Sequence, residues 1–226
     1  YELGHIVKDG IRRMYGENSE NVYYYLTVYN EPYQQPAEPE NLDVESLLKG
    51  IYLLKKPLRW RRKKVALLAS GVAVNWAIKA QKLLNDDFGI AATIYSVTSW
   101  NELRRDGLIT SRWNMLHPEE TPRQSFVEEC LEGAKGPVVA STDYMKSYAD
   151  QIREFISGTY TVLGTDGFGR SDTRERLRHF FEVDRYFIVV AALTALVEDN
   201  VVDVGQVAAA IKKFGIDPEK VNPALS

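Results

Sequence analysis

Short apolar runs alternate with helical patterns through most of the chain, and this order limits the fold more than any other feature. The runs at residues 65–69, 92–97, 138–140 and 160–163 are rich in β-branched and other apolar residues, and helical patterns separate them. Parallel strands need a crossover connection, which is usually a helix. The order therefore predicts an α/β fold with a mostly parallel sheet of about four strands, covered by helices on both faces.

Capping residues mark where several of these helices begin. Ser99 opens a capping box that predicts a short helix, and Thr121, which precedes a proline, predicts the start of another. Asp172 opens a further capping box after a glycine-spaced loop. The closing helices are predicted to begin at Asp172, Asp184 and Asp203.

The first 64 residues carry a different pattern. Residues 5–15 predict a helix, and residues 22–29 predict a buried strand because they are β-branched and aromatic. Three prolines between residues 30 and 40 disfavour regular structure there. The chain is therefore divided into the end of one α/β domain (1–29), an interdomain segment (30–64) with a short amphipathic stretch at 44–54, and a second α/β domain (65–226).

The composition limits the partners. The chain has 226 residues, a net charge of −3 and a pI near 5.7, so neither nucleic acid nor a membrane is expected as a partner. The longest apolar run, residues 187–197, predicts a buried helix, because about 20 residues are needed to span a membrane. The single cysteine, Cys130, excludes an internal disulfide, and the three histidines are too far apart in sequence to suggest a metal site.

Residues 55–64 concentrate positive charge. Seven of these ten residues are Lys or Arg, and Trp60 lies among them. The run is typical of a solvated connector, and a contact with phosphate or an acidic partner is the alternative. Nucleic-acid binding through this run would depend steeply on salt.

Two titratable residues are candidates for a functional site. Glu31, in the word Asn-Glu-Pro-Tyr, follows the strand predicted at residues 22–29. At that place a carboxylate could be desolvated and ready for proton transfer, or it could be a linker carboxylate that faces water. His117 is expected in a loop at residues 112–118, which could bind a ligand or serve only structure.

Neither glycine-containing turn matches a nucleotide-binding fingerprint. Ser70-Gly71 leads from a predicted strand into a helix, but it lacks the spaced glycines and the Lys of a phosphate loop. The glycines at positions 164, 167 and 169 are not spaced as in a dinucleotide site. The sequence therefore shows no self-contained active site.

Several longer words resemble one known family from end to end. They are Tyr-Gly-Glu (15–17), Asn-Val-Tyr-Tyr-Tyr (21–25), Asn-Glu-Pro-Tyr (30–33), Tyr-Ser-Val-Thr-Ser (95–99), Arg-Trp-Asn-Met-Leu-His-Pro (112–118), Ala-Ser-Thr-Asp-Tyr-Met-Lys (140–146), the decamer 163–172 and Lys-Val-Asn-Pro (220–223). These words look like the homodimeric bacterial pyruvate dehydrogenase E1 component, a transketolase-like enzyme that uses thiamine diphosphate. Since the chain also begins at Tyr1, we expect it to be part of a longer polypeptide.

The resemblance implies a bacterial cytoplasmic enzyme that decarboxylates pyruvate and passes the two-carbon unit to a lipoyl group on an E2 acetyltransferase. Residues 1–29 would end the aminopyrimidine-binding domain, and residues 65–226 would form the transketolase-like C-terminal domain. Thiamine diphosphate and Mg²⁺ would be held mainly by residues outside this chain, which we expect to be inactive alone. The expected partners are the rest of the E1 chain, a second E1 protomer, E2 and pyruvate.

The resemblance also implies two site residues. Glu31 would line the substrate channel, and Gln34 stands where relatives have a histidine that contacts the reacting group. Gln34 keeps a hydrogen-bonding side chain but cannot titrate, so a proton relay at that position is in question. The alternatives left open are a non-catalytic module for subunit association or E2 assembly, and an E1 enzyme for another 2-oxo acid.

Overall fold

The computed structural model describes residues 1–226. The strands are β1 (Ile51–Lys55), β2 (Lys64–Ala69), β3 (Ala91–Val97), β4 (Val138–Ser141) and β5 (Tyr160–Leu163). The helices are α1 (Glu2–Tyr15), α2 (Val44–Lys49), α3 (Ala73–Phe88), α4 (Trp100–Leu116), α5 (Phe126–Leu131), α6 (Lys146–Asp150), α7 (Arg174–Phe180), α8 (Arg185–Glu198) and α9 (Val204–Phe214). Two short 3-10 helices lie at Arg153–Phe155 and Pro223–Leu225.

The five strands form one mixed sheet in the order β1-β3-β2-β4-β5. Strands β2 to β5 are parallel to their neighbours, and β1 pairs antiparallel with β3 at one edge. The predicted α/β class and mostly parallel sheet are confirmed, with one more strand than expected. The additional strand, β1, lies in residues 30–64, which the sequence assigned to an interdomain segment.

Helices cover both faces of the sheet, as predicted. On one face, α3, α8 and α9 pack against alternate residues of the strands, such as Leu67 and Ile94. On the other face, α4, α5 and α6 pack against the intervening residues, such as Leu68 and Tyr95. Because successive strand residues point to opposite faces, a strand that is apolar along its whole length fills both cores.

Residues 22–29 are not the buried strand that their composition predicted. They pair with no strand, and Tyr23, Tyr25 and Val28 are strongly exposed. Side chains tie the segment to α1 instead: the Tyr24 hydroxyl donates to Asp9 Oδ2 at 2.7 Å and accepts from Arg13 Nη1 at 3.0 Å. A β-prone segment becomes a strand only where another strand completes its hydrogen bonds, and none lies beside it here.

Two helix starts and the length of a third helix differ from the prediction. Thr173, not Asp172, caps α7, and Asp172 Oδ1 accepts from the Thr173 backbone N–H. Ser125 and Glu128 form the capping box of α5, so Thr121 is not its cap. Ser99 caps α4 as predicted, but the helix is not short, since it runs for 17 residues. Helix α8 begins after Asp184 and α9 after Asp203, as predicted.

Replacing Gly107 with alanine should destabilise the chain by about 1 to 3 kcal/mol, because the new methyl group would overlap the Phe155 ring where α4 meets the sheet side of the core. Urea unfolding measures the loss. Gly4→Ala is the matched control: Gly4 is also helical, a methyl group there meets open space, and the change should stabilise by about 0.5 to 1 kcal/mol. Equal effects of the two substitutions would contradict the packing described.

Candidate functional site

A cavity of about 390 Å³ opens at the carboxyl ends of the central parallel strands. The residues that follow β2 and β3 form its floor, including Ser70, Gly71 and Ser99. Strand β2 lies between β3 and β4, so the connections from β2 and β3 leave towards opposite sides of the sheet. Such a switch point leaves a crevice, where α/β proteins commonly bind ligands.

Hydrogen bonds between side chains hold the three strand ends together. Trp100, after β3, donates from Nε1 to Ser70 Oγ at 3.2 Å. Ser70, after β2, donates to Thr142 Oγ1, after β4, at 3.0 Å. Because the ends of the three strands are cross-linked in this way, the floor of the cavity is rigid.

Tyrosines form the wall of the cavity. Residues 25–35 cross its mouth in irregular conformation, and this segment contributes Tyr25, Tyr29 and Tyr33. The Tyr29 ring lies over Gly71, where a Cβ would come within 2.6 Å of its hydroxyl and where φ is +57°. Both the backbone angle and the close approach therefore require glycine at the start of the turn into α3.

The N-terminal helix is joined to the sheet beside this cavity. Glu2 Oε1 accepts hydrogen bonds from the Tyr52 hydroxyl at 2.7 Å and from Ser96 Oγ at 2.6 Å. Since Tyr52 lies on the edge strand β1 and Ser96 on its neighbour β3, one carboxylate anchors α1 to both strands.

Glu31 is bound by two arginines of α7. Its carboxylate receives Arg178 Nη2 at 2.5 Å and Nη1 at 3.3 Å, and Arg174 Nη1 lies 2.8 Å from Oε2. The side chains of Glu31 and Arg178 are 14% and 10% exposed. Arg174 and Arg178 are one helical turn apart, so they lie on the same face of α7 and approach one carboxylate together.

The two arginines favour the ionised form of the Glu31 carboxylate. The Arg178 hydrogen bonds lower the pKa of Glu31 below its ordinary value, and they outweigh the burial that acts in the other direction. Of the two expectations for this residue, a linker carboxylate facing water is therefore wrong. The other expectation, a carboxyl group ready to exchange protons near neutral pH, is not favoured either, because two cations stabilise the ionised form.

Asp143 is a fourth member of this cluster, and the sequence reasoning missed it. It lies after β4, and its Oδ1 is 3.8 Å from Arg178 Nε, a buried atom without a hydrogen-bond partner. Burial raises the pKa of Asp143, against the influence of Arg178. Its position two residues beyond a buried strand was the available signal, since functional groups in α/β sheets collect there.

Gln34 lies next to the cavity without lining it. Its side chain is exposed, and its backbone carbonyl accepts from Asn75 Nδ2 at 3.1 Å. The neighbouring Gln35 contributes to the cavity wall instead. The described geometry thus brings Glu31 into the site and leaves the Gln34 side chain facing solvent.

The glycine-spaced loop at 164–169 serves to position α7. Thr165 and Asp166 bond to the loop after β4: the Thr165 N–H donates to the Tyr144 carbonyl at 2.9 Å, and Asp166 accepts from the Lys146 N–H at 3.0 Å. Gly167 has a φ of +102°, and a Cβ there would overlap the Pro223 carbonyl. These contacts carry the chain from β5 to the start of α7, where the arginines begin.

His117 does not belong to the site. Residues 112–116 are the end of α4, not the predicted loop, and the His117 ring stacks on Trp113 at 4.3 Å. The Arg123 guanidinium covers the same indole at 3.6 Å, and Asn114 binds the backbone of Arg123. These contacts favour a purely structural role for His117 over the binding of a ligand.

The residues of this chain do not fit the diphosphate end of a thiamine cofactor. The cavity is lined by two carboxylates, Glu2 and Glu31, and by no Lys or Arg. No group of three His, Cys, Asp or Glu residues could hold a metal ion. The cavity lining therefore offers no cation to a diphosphate and no ligand set to its metal. Separately from the cofactor, none of the helices combines the length and the hydrophobicity that are needed to span a lipid bilayer.

Asp143→Asn should be more stable than the wild-type chain at pH 7, and this advantage should shrink as the pH falls towards 4. A raised folded-state pKa means that the folded protein takes up a proton at Asp143 more readily than the unfolded chain does, so the contribution of Asp143 to stability becomes more favourable on acidification, and the variant lacks this contribution. Unfolding curves at several pH values measure the difference. A constant difference, or the same trend in the exposed Glu17→Gln control, would contradict the cause given.

Two family models match the chain. Residues 50–184 match the transketolase-like C-terminal domain, and residues 1–36 match the middle domain of the pyruvate dehydrogenase E1 component. The second match ends at residue 36, directly after residues 25–35, the segment that crosses the mouth of the cavity.

Curated relatives match over the whole chain. The pyruvate dehydrogenase E1 component of Pseudomonas aeruginosa is 54% identical over 224 residues, and that of Escherichia coli K12 is 51% identical over 227 residues. These matches cover 99% and 100% of this chain and 25% of each relative, so the chain spans about a quarter of their length. A transketolase structure from Campylobacter jejuni has a TM-score of 0.48 and 22% identity, covering 70% of this chain and 20% of that one. With more than half of its residues in the matched domain, the chain belongs to the transketolase-like C-terminal domain family, and in sequence it is similar to the C-terminal quarter of bacterial pyruvate dehydrogenase E1 components.

Proposed function

We propose that this chain is the C-terminal part of a bacterial, cytoplasmic pyruvate dehydrogenase E1 enzyme that works as a homodimer. The observation that carries the proposal is about 50% identity, over the whole chain, to E1 components of several bacteria. The whole enzyme would decarboxylate pyruvate oxidatively, where glycolysis ends, and transfer the acetyl unit to a lipoyl group of E2. The domain division at residues 29 and 64 belongs to the same proposal.

Thiamine diphosphate and Mg²⁺ would be bound mainly by parts of the enzyme outside this chain. The acidic lining of the cavity and the missing metal ligands support this division. When bound, thiamine diphosphate supplies the electron sink that the loss of CO₂ requires. The isolated chain is therefore expected to be inactive.

The chain would supply one wall of the substrate channel. Glu31 would fix residues 25–35 across the cavity mouth through its arginine pairs, and the tyrosines of that segment would exclude water from the channel. Gln34 would contribute a hydrogen-bonding amide to the channel only if its side chain, which faces solvent in the isolated chain, turned towards the cavity beside it when the rest of the enzyme is present. In this role Glu31 acts as a fixed negative charge that positions the wall.

A chimeric enzyme tests the proposal. The C-terminal quarter of the Pseudomonas aeruginosa E1 component is replaced by this chain, and pyruvate-dependent acetylation of a lipoyl domain is measured. The chimera should keep activity within about tenfold of its parent, because about half of the exchanged residues are identical. A folded, dimeric chimera that binds thiamine diphosphate but does not turn over pyruvate would refute the assignment.

Calorimetry on the isolated chain tests where the cofactor is held. Titration with thiamine diphosphate and Mg²⁺ at physiological salt should give no heat of specific binding, since the cavity is lined by no cation and the chain has no metal ligand set. Saturable binding would show that this chain carries the anchors itself. The calorimetric result does not depend on the activity of the chimera, so the two claims can fail separately.

A further inference from the structure

Residues 55–64, from the last residue of β1 to the first residue of β2, form a basic loop whose first half is the more exposed. Its seven cations are Lys55, Lys56, Arg59, Arg61, Arg62, Lys63 and Lys64. None of them takes part in an ion pair of the chain. A solvated connector needs no such concentration of unpaired charge.

The loop is a positive region on an otherwise acidic molecule. The chain has a net charge of −3, and the loop holds seven positive charges with no acidic residue, so the remaining residues carry a net charge of −10. Such segregation creates a directional field that orients the molecule towards an anionic partner.

Two large apolar side chains stand among these cations. Trp60 is 81% exposed and Leu58 is 50% exposed. The other tryptophans are shielded: Trp76 and Trp100 are 8% and 5% exposed, and Trp113 is covered by His117 and Arg123. An exposed Trp next to Lys and Arg is the combination that favours the interface between water and lipid, where the indole enters the headgroup layer.

The basic loop lies away from the candidate site. It ends at Lys64, the first residue of β2, and thus lies at the amino ends of the parallel strands, opposite the cavity at their carboxyl ends. Backbone contacts hold its two sides: Lys56 O accepts from Gln81 Nε2 at 3.0 Å, and Lys63 O accepts from the Ala91 N–H at 2.9 Å. A partner could therefore bind the loop without covering the cavity.

We propose that the basic loop docks this domain on an anionic lipid surface, with Trp60 and Leu58 entering the headgroup layer. This inference departs from the expectation, drawn from overall charge, that no membrane is a partner, and it is independent of the proposed function. Nucleic acid fits less well, because the loop presents no helix or strand to a groove and only one aromatic ring for base stacking. Lipid accounts for Leu58 as well as for the cations.

Vesicle binding by the 226-residue chain tests the proposal. The chain should bind vesicles of phosphatidylcholine mixed with phosphatidylglycerol, and it should not bind vesicles of phosphatidylcholine alone. Added salt should release the bound chain from the anionic vesicles. Tryptophan emission should shift to shorter wavelength on binding, and Trp60→Phe should abolish the shift because Trp60 is the exposed indole. No binding, or equal binding to both kinds of vesicle, would overturn the proposal.

Charge-matched variants separate the basic loop from net charge. The triple variant Lys56→Gln, Arg59→Gln, Arg62→Gln should bind anionic vesicles about 100-fold more weakly. The control Lys82→Gln, Arg104→Gln, Arg112→Gln removes three equally exposed cations elsewhere and should change affinity less than about threefold. Equal losses in the two variants would refute a local site, as would tighter binding of polyuridine RNA than of vesicles at the same salt.

Discussion

Replacing Arg178 with methionine should lower the free energy of unfolding of the 226-residue chain by about 3 kcal/mol at pH 7. The guanidinium is nearly buried, and it contacts the carboxylates of Glu31 and Asp143. Methionine fills much of the same volume, so the loss is mainly that of a cation beside two half-buried negative charges. Denaturant unfolding followed by circular dichroism measures it.

The control for this prediction is Arg176, which lies two residues before Arg178 and points away from the face of α7 that carries Arg174 and Arg178. Arg176 is 78% exposed on its side chain and lies 3.9 Å from Asp172, so Arg176→Met should cost less than about 0.5 kcal/mol. Adding Asp143→Asn to Arg178→Met should recover part of the loss, because one uncompensated charge is removed. A loss as large in Arg176→Met, or no recovery in the double variant, would show that helix propensity and not the buried pairs sets the result.

The same ion pairs have a pH signature. Because Arg178 lowers the folded-state pKa of Glu31, this carboxylate stabilises the wild-type fold at pH values above its unfolded-state pKa, and the contribution disappears as the pH falls through the folded-state pKa. The gap between the wild type and Arg178→Met should therefore narrow in acid. A gap that stays constant down to the acid transition would contradict an electrostatic cause.

The core strands could be predicted because their signal is local. Strands β2 to β5 are short apolar runs between helical patterns, and a strand buried on both faces has that appearance in any sequence. Strand β1 escaped prediction because Ile51–Lys55 continues the apolar pattern of α2, and only its pairing with β3 defines it as a strand. The opposite error occurred at residues 22–29, where a strand was predicted and none formed. These residues have high β-propensity, but no strand lies beside them to complete the hydrogen bonds.

The candidate site could be predicted only in part. Glu31 was found from a short word at the end of a predicted strand, but its partner Arg178 lies 147 residues further along the chain. On α7 that arginine is one of several charged residues in a short helix, and nothing in its local sequence marks it as buried. The side-chain orientation of Gln34 also depends on how residues 25–35 cross the cavity, which no local pattern determines.

Glu31→Gln in the chimeric enzyme should slow turnover of pyruvate by about 10- to 100-fold. The amide loses the charge that holds Arg174 and Arg178, so residues 25–35 lose their anchor across the cavity mouth and the channel wall shifts. Steady-state kinetics measure the loss as separate changes in kcat and KM. Glu38→Gln is the matched control, because Glu38 belongs to the same stretch and pairs with His5 away from the cavity; it should stay within about twofold of the parent.

The pH profile of this variant decides which role Glu31 has. A carboxylate whose pKa is lowered by Arg178 stays ionised throughout the neutral range, so as a fixed charge it cannot shape the profile there. Glu31→Gln should then lower kcat by the same factor from about pH 6 to pH 8. If Glu31 instead handled a proton, the acid limb of the profile would move or vanish in the variant. Unchanged turnover would show that the ion pairs stabilise the fold without serving the reaction.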